Sequence, residues 1–230
     1  MFLPKALPVS LILGAALTGL ALAQGAPMQL VPPKPAPAAA AISRSVAPPK
    51  LASQDALALV QKANAWLNAN PTLISDFSQV GADGKRTTGK LYVQKPGRLR
   101  FEYASPATLE VIADGTSVAV RDKKLATQDN YFINQTPLKF LLKAKIDIAQ
   151  DTKILDVSTI NGATVITIED SATFGGTSRI RMSFDSTTSA LKQWTVRDPQ
   201  GYETLVTLAN IDLKSKPSSD LFKINFENFR

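Results

Sequence analysis

Apolar side chains recur at every second position along most of the chain from Leu73 onward. An alternation with a period of two predicts β-strands that bury one face and expose the other. Short segments with this pattern follow one another almost to the end of the chain. The predicted strands are Ile74–Val80, Thr87–Lys95, Arg98–Tyr103, Leu109–Ala113, Ser117–Asp122, Lys153–Thr159, Ala163–Asp170, Thr177–Phe184, Ala190–Arg197, Tyr202–Leu208 and Phe222–Phe226.

The segments between these strands are mostly short and contain residues that form tight turns. Asp83-Gly84, Asp114-Gly115 and Asn161-Gly162 tolerate the positive φ that hairpin loops require. Two further turns are marked by Pro96-Gly97 and Gln200-Gly201. Consecutive strands joined by short turns must be antiparallel. The sequence therefore predicts a mainly β protein with a few α-helices, built on a large curled antiparallel sheet or barrel.

The segment before the first strand has the periodicity of a helix. Its apolar residues recur at a spacing of about 3.6 and share one face, and Asn70-Pro71 ends the pattern. We therefore predict an amphipathic helix over Ser53–Asn68 that covers the sheet. The predicted covering face consists of Ala56, Leu59, Val60, Ala63, Trp66 and Leu67.

A second helical pattern interrupts the series of strands at residues 136–143. Thr136 is a suitable cap, and Pro137 suits the first helical position, where its missing N–H costs nothing. A short apolar helix between two groups of strands must bury its apolar face against the sheet. Leu138, Leu141 and Leu142 share that predicted face, and Phe140 lies beside it.

The N-terminal residues Met1–Ala23 have the three parts of a secretory signal peptide. Lys5 supplies the positive charge, Leu7–Leu22 is the apolar stretch, and Ala21-Leu22-Ala23 is a cleavage site with small residues. The alternative is an uncleaved membrane anchor, for which the stretch is rather short. We expect export to the periplasm with cleavage after Ala23.

Residues 24–50 separate this signal from the part of the chain that can form a core. They are rich in proline and alanine and contain few large apolar side chains. Such a composition predicts an extended, disordered linker. The remaining residues, 51–230, are enough for a single domain.

The composition removes much of enzyme chemistry from consideration. The chain has no cysteine and no histidine, which excludes disulfides and the commonest general base and metal ligand. The sequence contains no phosphate loop or dinucleotide fingerprint. Ser189 and Lys192 match S-x-x-K, but they fall at a turn that enters a strand rather than on a helix. We expect no enzyme activity, no catalytic residue, no cofactor and no metal.

The positive charge does not indicate nucleic-acid binding. The formal net charge is +7, but four of the 26 basic residues precede residue 51 and the first acidic residue is Asp55. The predicted domain is therefore only mildly basic. It shows no basic stripe with interleaved aromatic residues, so no nucleic-acid partner is expected.

Residues 98–103 illustrate how the sheet divides into two faces. Leu99, Phe101 and Tyr103 point one way, and the charged residues between them point the other. A buried core face explains this pattern. A strongly curled sheet covered by two helices can also enclose more apolar space than its own side chains fill. The pattern is therefore compatible both with a filled core and with a cavity that suits a lipid.

An ordered series of motifs resembles a known family. After the first helix come DFSQ at residues 76–79 and GKLYVQKPGRLRFEY at residues 89–103, with Pro106 close behind. VIADG at residues 111–115 and Thr136-Pro137 follow. In order and spacing, residues 53–228 resemble the LolA-type outer-membrane lipoprotein carriers.

The resemblance implies an incomplete β-barrel lidded by helices around a hydrophobic cavity. It implies a monomeric periplasmic carrier that binds the acyl chains of triacylated lipoproteins. The implied partners are an inner-membrane lipoprotein-releasing ABC transporter and an outer-membrane acceptor. The implied acyl and lid residues are Phe77, Leu91, Val93, Leu99, Phe101, Tyr103, Val111, Leu138, Phe140, Leu141 and Leu142.

The resemblance also implies a latch on the lid. In the best-studied branch of the family an arginine precedes the proline of the corresponding turn and holds the lid helix, and Lys95 resembles that position. Lysine keeps the charge but lacks the bidentate fork of arginine. We expect its ammonium to bind the unpaired carbonyls at the end of the 137–143 helix.

Other functions of the same fold are compatible with the sequence. A periplasmic protein that binds lipids or glycolipids would show the same pattern, and so would a sensor of mislocalised lipoproteins. A periplasmic β-domain with a filled core is a third alternative.

Overall fold

The computed structural model describes residues 53–225, so the predicted signal peptide and most of the predicted linker lie outside the described residues. Within this range the chain folds into eleven strands and a few helices. The elements are α1 (Ser53–Ala69), β1 (Thr72–Val80), β2 (Arg86–Gln94), β3 (Arg98–Tyr103), β4 (Leu109–Asp114), β5 (Ser117–Asp122), β6 (Thr127–Phe132), α2 (Lys139–Leu142), α3 (Ile148–Asp151), β7 (Lys153–Ile160), β8 (Ala163–Thr173), β9 (Gly176–Asp185), β10 (Leu191–Arg197) and β11 (Glu203–Asp212).

All strands belong to one antiparallel sheet with the order β6-β5-β4-β3-β2-β1-β11-β10-β9-β8-β7. Consecutive strands pair through short turns within two meanders, β1–β6 and β7–β11, and β1 pairs with β11 to join the meanders. The edge strands are β6 and β7. The predicted mainly β fold with an open antiparallel sheet is confirmed.

The sheet is curled, as the short distance between its two ends shows. Tyr131 lies on edge strand β6, and Phe174 follows β8 at the other end of the strand order, yet their ring centroids are 6.0 Å apart. The Phe174 backbone N–H also donates to the carbonyl of Gln135 at 2.7 Å. No ladder joins β6 to β7 within residues 53–225, so the barrel that these strands outline is incomplete.

The inner face of the curled sheet carries the core. It is covered by α1 and by the connection between β6 and β7, residues 133–152, which we call the lid segment. Helix α1 buries Val60, Ala63 and Leu67 as its periodicity predicted, and Ala56, Leu59 and Trp66 pack at the side. On β3, Leu99 and Phe101 are buried while Arg98 and Glu102 are exposed, which confirms the predicted division into two faces.

Two turns meet at the rim of the sheet where a glycine is required. Gly97 has φ +75°, and a Cβ there would lie 2.7 Å from the Cα of Gly115 in the β4–β5 turn. Real Cβ atoms do not approach that closely, so the β2–β3 and β4–β5 turns pack together only because residue 97 has no side chain.

One observed strand was not predicted, and one predicted strand was wrong. β6 was missed, because Thr127–Phe132 reads TQDNYF and has no clear apolar alternation. The predicted strand Phe222–Phe226 does not form. Instead, Ser219–Phe222 is a turn of 3-10 helix against the outer face of β3 and β4, where Arg100 Nη1 donates to the carbonyl of Leu221 at 3.2 Å. Phe226 lies outside the described residues.

The second predicted helix is shorter than its pattern suggested. Helix α2 is a single turn at Lys139–Leu142, and Leu138 rather than Thr136 occupies its N-cap position. The Thr136 hydroxyl donates to the carbonyl of Ile133 at 2.9 Å and closes a preceding 3-10 turn. The sequence prediction also missed α3, although Asp147 caps it by accepting from two backbone N–H groups.

Candidate functional site

The inner face of β1–β3 carries a cluster of aromatic rings. Phe77 on β1 makes edge-to-face contacts with Phe101 and Tyr103 on β3, at centroid distances of 5.0 and 5.1 Å. β2 lies between these strands, and Gly89 on it leaves the space that the Phe77 ring occupies, since a Cβ there would lie 2.9 Å from Cε1 of that ring. The absence of a side chain at residue 89 therefore allows the rings to meet across β2.

The lid segment packs on this face with its apolar side. Leu138, Phe140, Leu141 and Leu142 are between 1% and 7% exposed and belong to the same hydrophobic cluster as the sheet. The ring of Phe140 meets Trp194 on β10 at 6.0 Å, edge to face. These side chains therefore lie against the inner face on which the sequence predicted an acyl cavity.

The predicted binding residues are brought together in space. Ten of them belong to one hydrophobic cluster, and Tyr103 packs against it. Their predicted contact with acyl chains stays a prediction. The structure adds residues from the second meander that the sequence prediction did not single out, although the alternation of β9, β10 and β11 could have indicated them. These are Ile180, Met182, Phe184, Trp194, Val196, Val206 and Leu208.

The predicted partner of Lys95 was wrong. Its Nζ donates to the backbone carbonyl of Leu67 in the last turn of α1, and not to the end of α2. The carbonyl of Leu142, at the end of α2, accepts instead from the backbone N–H of Gly97 at 2.8 Å. One rim turn, residues 95–97, therefore holds both α1 and the lid segment. Burial lowers the pKa of the Lys95 ammonium to about 8.

Two asparagines of α1 bind the lid segment along its backbone. The side-chain amide of Asn68 accepts from the N–H of Ile146 and donates to its carbonyl, both at 2.8 Å. One turn earlier, Asn64 Oδ1 accepts from the N–H of Ile148 at 3.1 Å. Because the two asparagines are four residues apart, they lie on one side of the helix. The two asparagine side chains therefore bind the backbone of residues 146–148 as a neighbouring strand would, and they join α1 to the lid segment.

A buried ion pair joins the lid segment to β8. Lys139 Nζ lies 2.8 Å from both carboxylate oxygens of Asp170. The side chains of the lysine and the aspartate are 16% and 5% exposed. The two residues are 31 positions apart, and no sequence signal connected them. A second lid ion pair, Lys143 with Asp151, is far more exposed.

A separate groove lies away from these residues. Its volume is about 670 Å³, and it is formed by the β1–β2 loop and the β10–β11 turn, with Arg197, Tyr202 and Leu205 among its walls. It contains none of the predicted binding residues.

The geometry defines a class of protein in which helices close over the apolar inner face of an open β-sheet. The family model of the outer membrane lipoprotein carrier protein LolA matches residues 69–225. This match covers more than half of the chain, and the chain belongs to that family.

Individual relatives and solved structures are similar to parts of the chain. An outer-membrane lipoprotein carrier protein of Chromobacterium violaceum is 35% identical over 91 residues, which cover 38% of this chain and 42% of that protein. One of Dechloromonas aromatica is 22% identical over 71% of this chain and 82% of its own length. The crystal structure of a LolA superfamily protein from Nitrosomonas europaea covers 74% of this chain and 97% of its own, with 9% identity and a TM-score of 0.43.

None of the helices between residues 53 and 225 is long and apolar enough to cross a bilayer.

Proposed function

We propose that this protein is an exported periplasmic carrier that binds the acyl chains of lipoproteins and shuttles them from the inner to the outer membrane. The observation that carries the proposal is the apolar side of the lid segment, which packs on the inner face of the sheet. Acyl chains would replace Leu138, Phe140, Leu141 and Leu142 at this face when the lid opens. The family of the chain supports the same role.

The energetics of such an exchange favour reversible binding. Each buried methylene contributes about 0.8 kcal/mol, so one long acyl chain contributes on the order of ten. A permanently open cavity would hold its cargo too tightly to release it. In this protein the closed state has its own contacts, because the lid side chains bury the same face. Cargo must displace them, and their return favours release.

The hydrogen bonds at the rim fit the same cycle. The hydrogen bond from Lys95 to Leu67 connects the β2–β3 turn with α1, and the bond from Gly97 to Leu142 connects the same turn with the lid segment. Opening the lid breaks or rearranges these contacts, and closing restores them. We propose that Lys95 is the latch of the closed state, acting on α1 rather than on α2.

The carrier role defines the partners. Triacylated lipoproteins are the proposed cargo, an inner-membrane lipoprotein-releasing ABC transporter is the proposed donor, and an outer-membrane protein or the membrane itself is the acceptor. The carrier acts as a monomer and requires no cofactor, because burial of the acyl chains supplies the binding energy.

Co-purification of the full chain with its cargo tests this function. The protein is isolated from the periplasmic fraction without detergent, and bound molecules are identified by mass spectrometry. We expect triacylated lipoproteins in the wild type and their loss in Leu141→Asp. Recovery of phospholipid or glycolipid alone would favour a lipid-binding protein of the same fold. Recovery of no acylated molecule under conditions where a known carrier retains its cargo would contradict the proposal.

A further inference from the structure

The innermost strand of the candidate site contains polar side chains on its buried face. β1 buries every second residue, and the four buried positions are Leu73, Ser75, Phe77 and Gln79. A face that bound only hydrocarbon would be expected to bury apolar residues throughout, because buried polar groups lose hydration. Two polar side chains out of four are therefore a feature that needs a physical reason.

The two polar side chains differ in how they are satisfied. Gln79 is 3% exposed, and its Oε1 accepts a hydrogen bond of 2.8 Å from the hydroxyl of Tyr103. Burial raises the pKa of Tyr103 well above its usual value, so the hydroxyl remains a donor. Ser75 is 1% exposed, and its Oγ has no hydrogen-bond partner among the described residues. An unpaired buried hydroxyl destabilises the folded state, and alanine at the same position would avoid this cost.

The position of Ser75 is close to the rim that carries the latch. The last pair of the β1–β2 ladder before the rim turn is Thr72 with Gln94, which directly precedes Lys95. Ser75 pairs with Leu91, three residues further along the ladder. At 3.4 Å per residue this places it about 10 Å inside the rim. Phe77 follows deeper along the same face. A lipid whose head group stays at the rim would thus bring the start of its acyl chains to Ser75 and extend them over Phe77.

The chemistry of acylated molecules matches this position. Ester and amide groups at the start of each acyl chain carry a carbonyl oxygen that accepts hydrogen bonds, and a serine hydroxyl can donate one. We propose that Ser75 donates a hydrogen bond to an acyl carbonyl of the bound lipid. The inference rests on the proposed function, since it requires acyl chains on the inner face, and it defines the ligand as acyl-linked rather than simply apolar.

A purely steric role for Ser75 predicts a different outcome. The β1–β11 register shifts between Ile74 and Asp76, so Ser75 has no directly opposed partner on β11, and a small side chain suits such an irregularity. Alanine would serve that purpose equally well. Ser75→Ala therefore separates the two roles, because it removes the hydroxyl and keeps the size.

The test uses two lipids of equal chain length, dipalmitoylglycerol with ester links and dihexadecylglycerol with ether links. Dissociation constants are measured for wild type, Ser75→Ala and the control Ser78→Ala. In the wild type, Ser78 lies on the outer face, where its Oγ accepts a hydrogen bond of 2.7 Å from Arg86. We expect wild type and Ser78→Ala to prefer the ester about fivefold, which corresponds to about 1 kcal/mol. Ser75→Ala should bind both lipids with the affinity that wild type has for the ether.

The stability of the empty protein provides a second readout. Ser75→Ala should raise the melting temperature by about 2 °C, because it removes the unpaired hydroxyl. A retained ester preference in Ser75→Ala, or no preference in wild type, overturns the inference while the carrier function stands. Failure of wild type to bind either lipid overturns both. A diacylated lipopeptide and phosphatidylglycerol, compared on the same variants, show which class of molecule supplies the carbonyl.

Discussion

The ammonium group of Lys95 donates a hydrogen bond to the backbone carbonyl of Leu67. This carbonyl lies in the last turn of α1, where carbonyls have no partner within the helix. A cation at this end also complements the helix dipole. The side chain of Leu67 is buried on the inner face. The contact therefore fixes both the end of α1 and the rim turn that contacts α2.

Lys95→Leu is expected to separate the acceptance of cargo from its transfer. A charge-assisted hydrogen bond contributes about 1.5–3 kcal/mol, or roughly one to two powers of ten in the ratio of closed to open protein. The variant should accept lipoprotein as well as the wild type and pass it on poorly. Lys95→Arg should restore transfer. Both steps can be measured with purified donor and acceptor membranes.

Lys90→Leu is the matched control for this experiment. Lys90 is an exposed lysine on β2, the strand that precedes Lys95, and forms its ion pair with Asp76 on the outer face. Its replacement should leave both steps unchanged. Normal transfer by Lys95→Leu would mean that other contacts hold the closed state.

The pKa of Lys95 predicts how stability changes with pH. Burial lowers this pKa from 10.5 to about 8 in the folded protein. Between these values the unfolded chain binds the proton and the folded chain does not, so stability rises with pH in this window. Relative to Lys95→Met, the wild-type free energy of unfolding should increase from pH 8 to 10.5 and stay constant below pH 7. Denaturant titrations at each pH measure the difference, and a difference that declines across the window would show that the ammonium is not desolvated.

Leu141→Asp is expected to abolish cargo binding without unfolding the sheet. Leu141 is 6% exposed in the closed state, and a carboxylate cannot be buried there without a large penalty. The lid should therefore lose the apolar side that would contact the acyl chains, and the carboxylate should oppose their burial. Leu57→Asp is the control, since Leu57 on α1 is 53% exposed. Cargo binding and far-UV circular dichroism are measured together, and wild-type binding by Leu141→Asp would exclude this face of the lid from the site.

The two ion pairs of the lid segment should differ in their contribution to closure. Asp170→Asn leaves the buried Lys139 without its counter-ion and should weaken closure by about 2 kcal/mol. Asp151→Asn breaks the exposed pair with Lys143 and should change closure by less than about 0.5 kcal/mol. Hydrogen exchange of the Gly97 amide, which is bonded to the lid in the closed state, reports the difference. Equal exchange rates in the two variants would show that closure does not depend on burial of the pair.

Export is expected to remove the first 23 residues. The charged start, the apolar stretch and the small residues before Ala23 are the basis for this expectation. The intact mass of the protein from the periplasmic fraction should correspond to a chain that begins at Gln24. A full-length mass in the membrane fraction would instead indicate an uncleaved anchor.

The strand pattern of the sequence determined much of the fold. Ten of the eleven predicted strands form. Most of them have the apolar alternation of a strand buried on one face, whereas β4 and β5 bury consecutive residues. The exceptions are informative. Thr127–Phe132 is polar and became a strand because β5 pairs with it, and Phe222 was buried by packing on another part of the sheet rather than by pairing. The sequence of each segment does not indicate which part of the sheet it will contact.

The candidate site likewise contains residues that the sequence identified and contacts that it did not. The alternating residues of β2 and β3 and the apolar face of residues 138–142 could be identified in the sequence, because periodicity shows which side chains must be buried. The sequence also indicated that Lys95 lies at a rim turn. Its partner Leu67, the asparagines that bind the lid and the Lys139–Asp170 pair depend on distances between segments far apart in the chain. Only the curling of the sheet, which brings the two ends of the strand order together beneath α1 and the lid segment, decided those contacts.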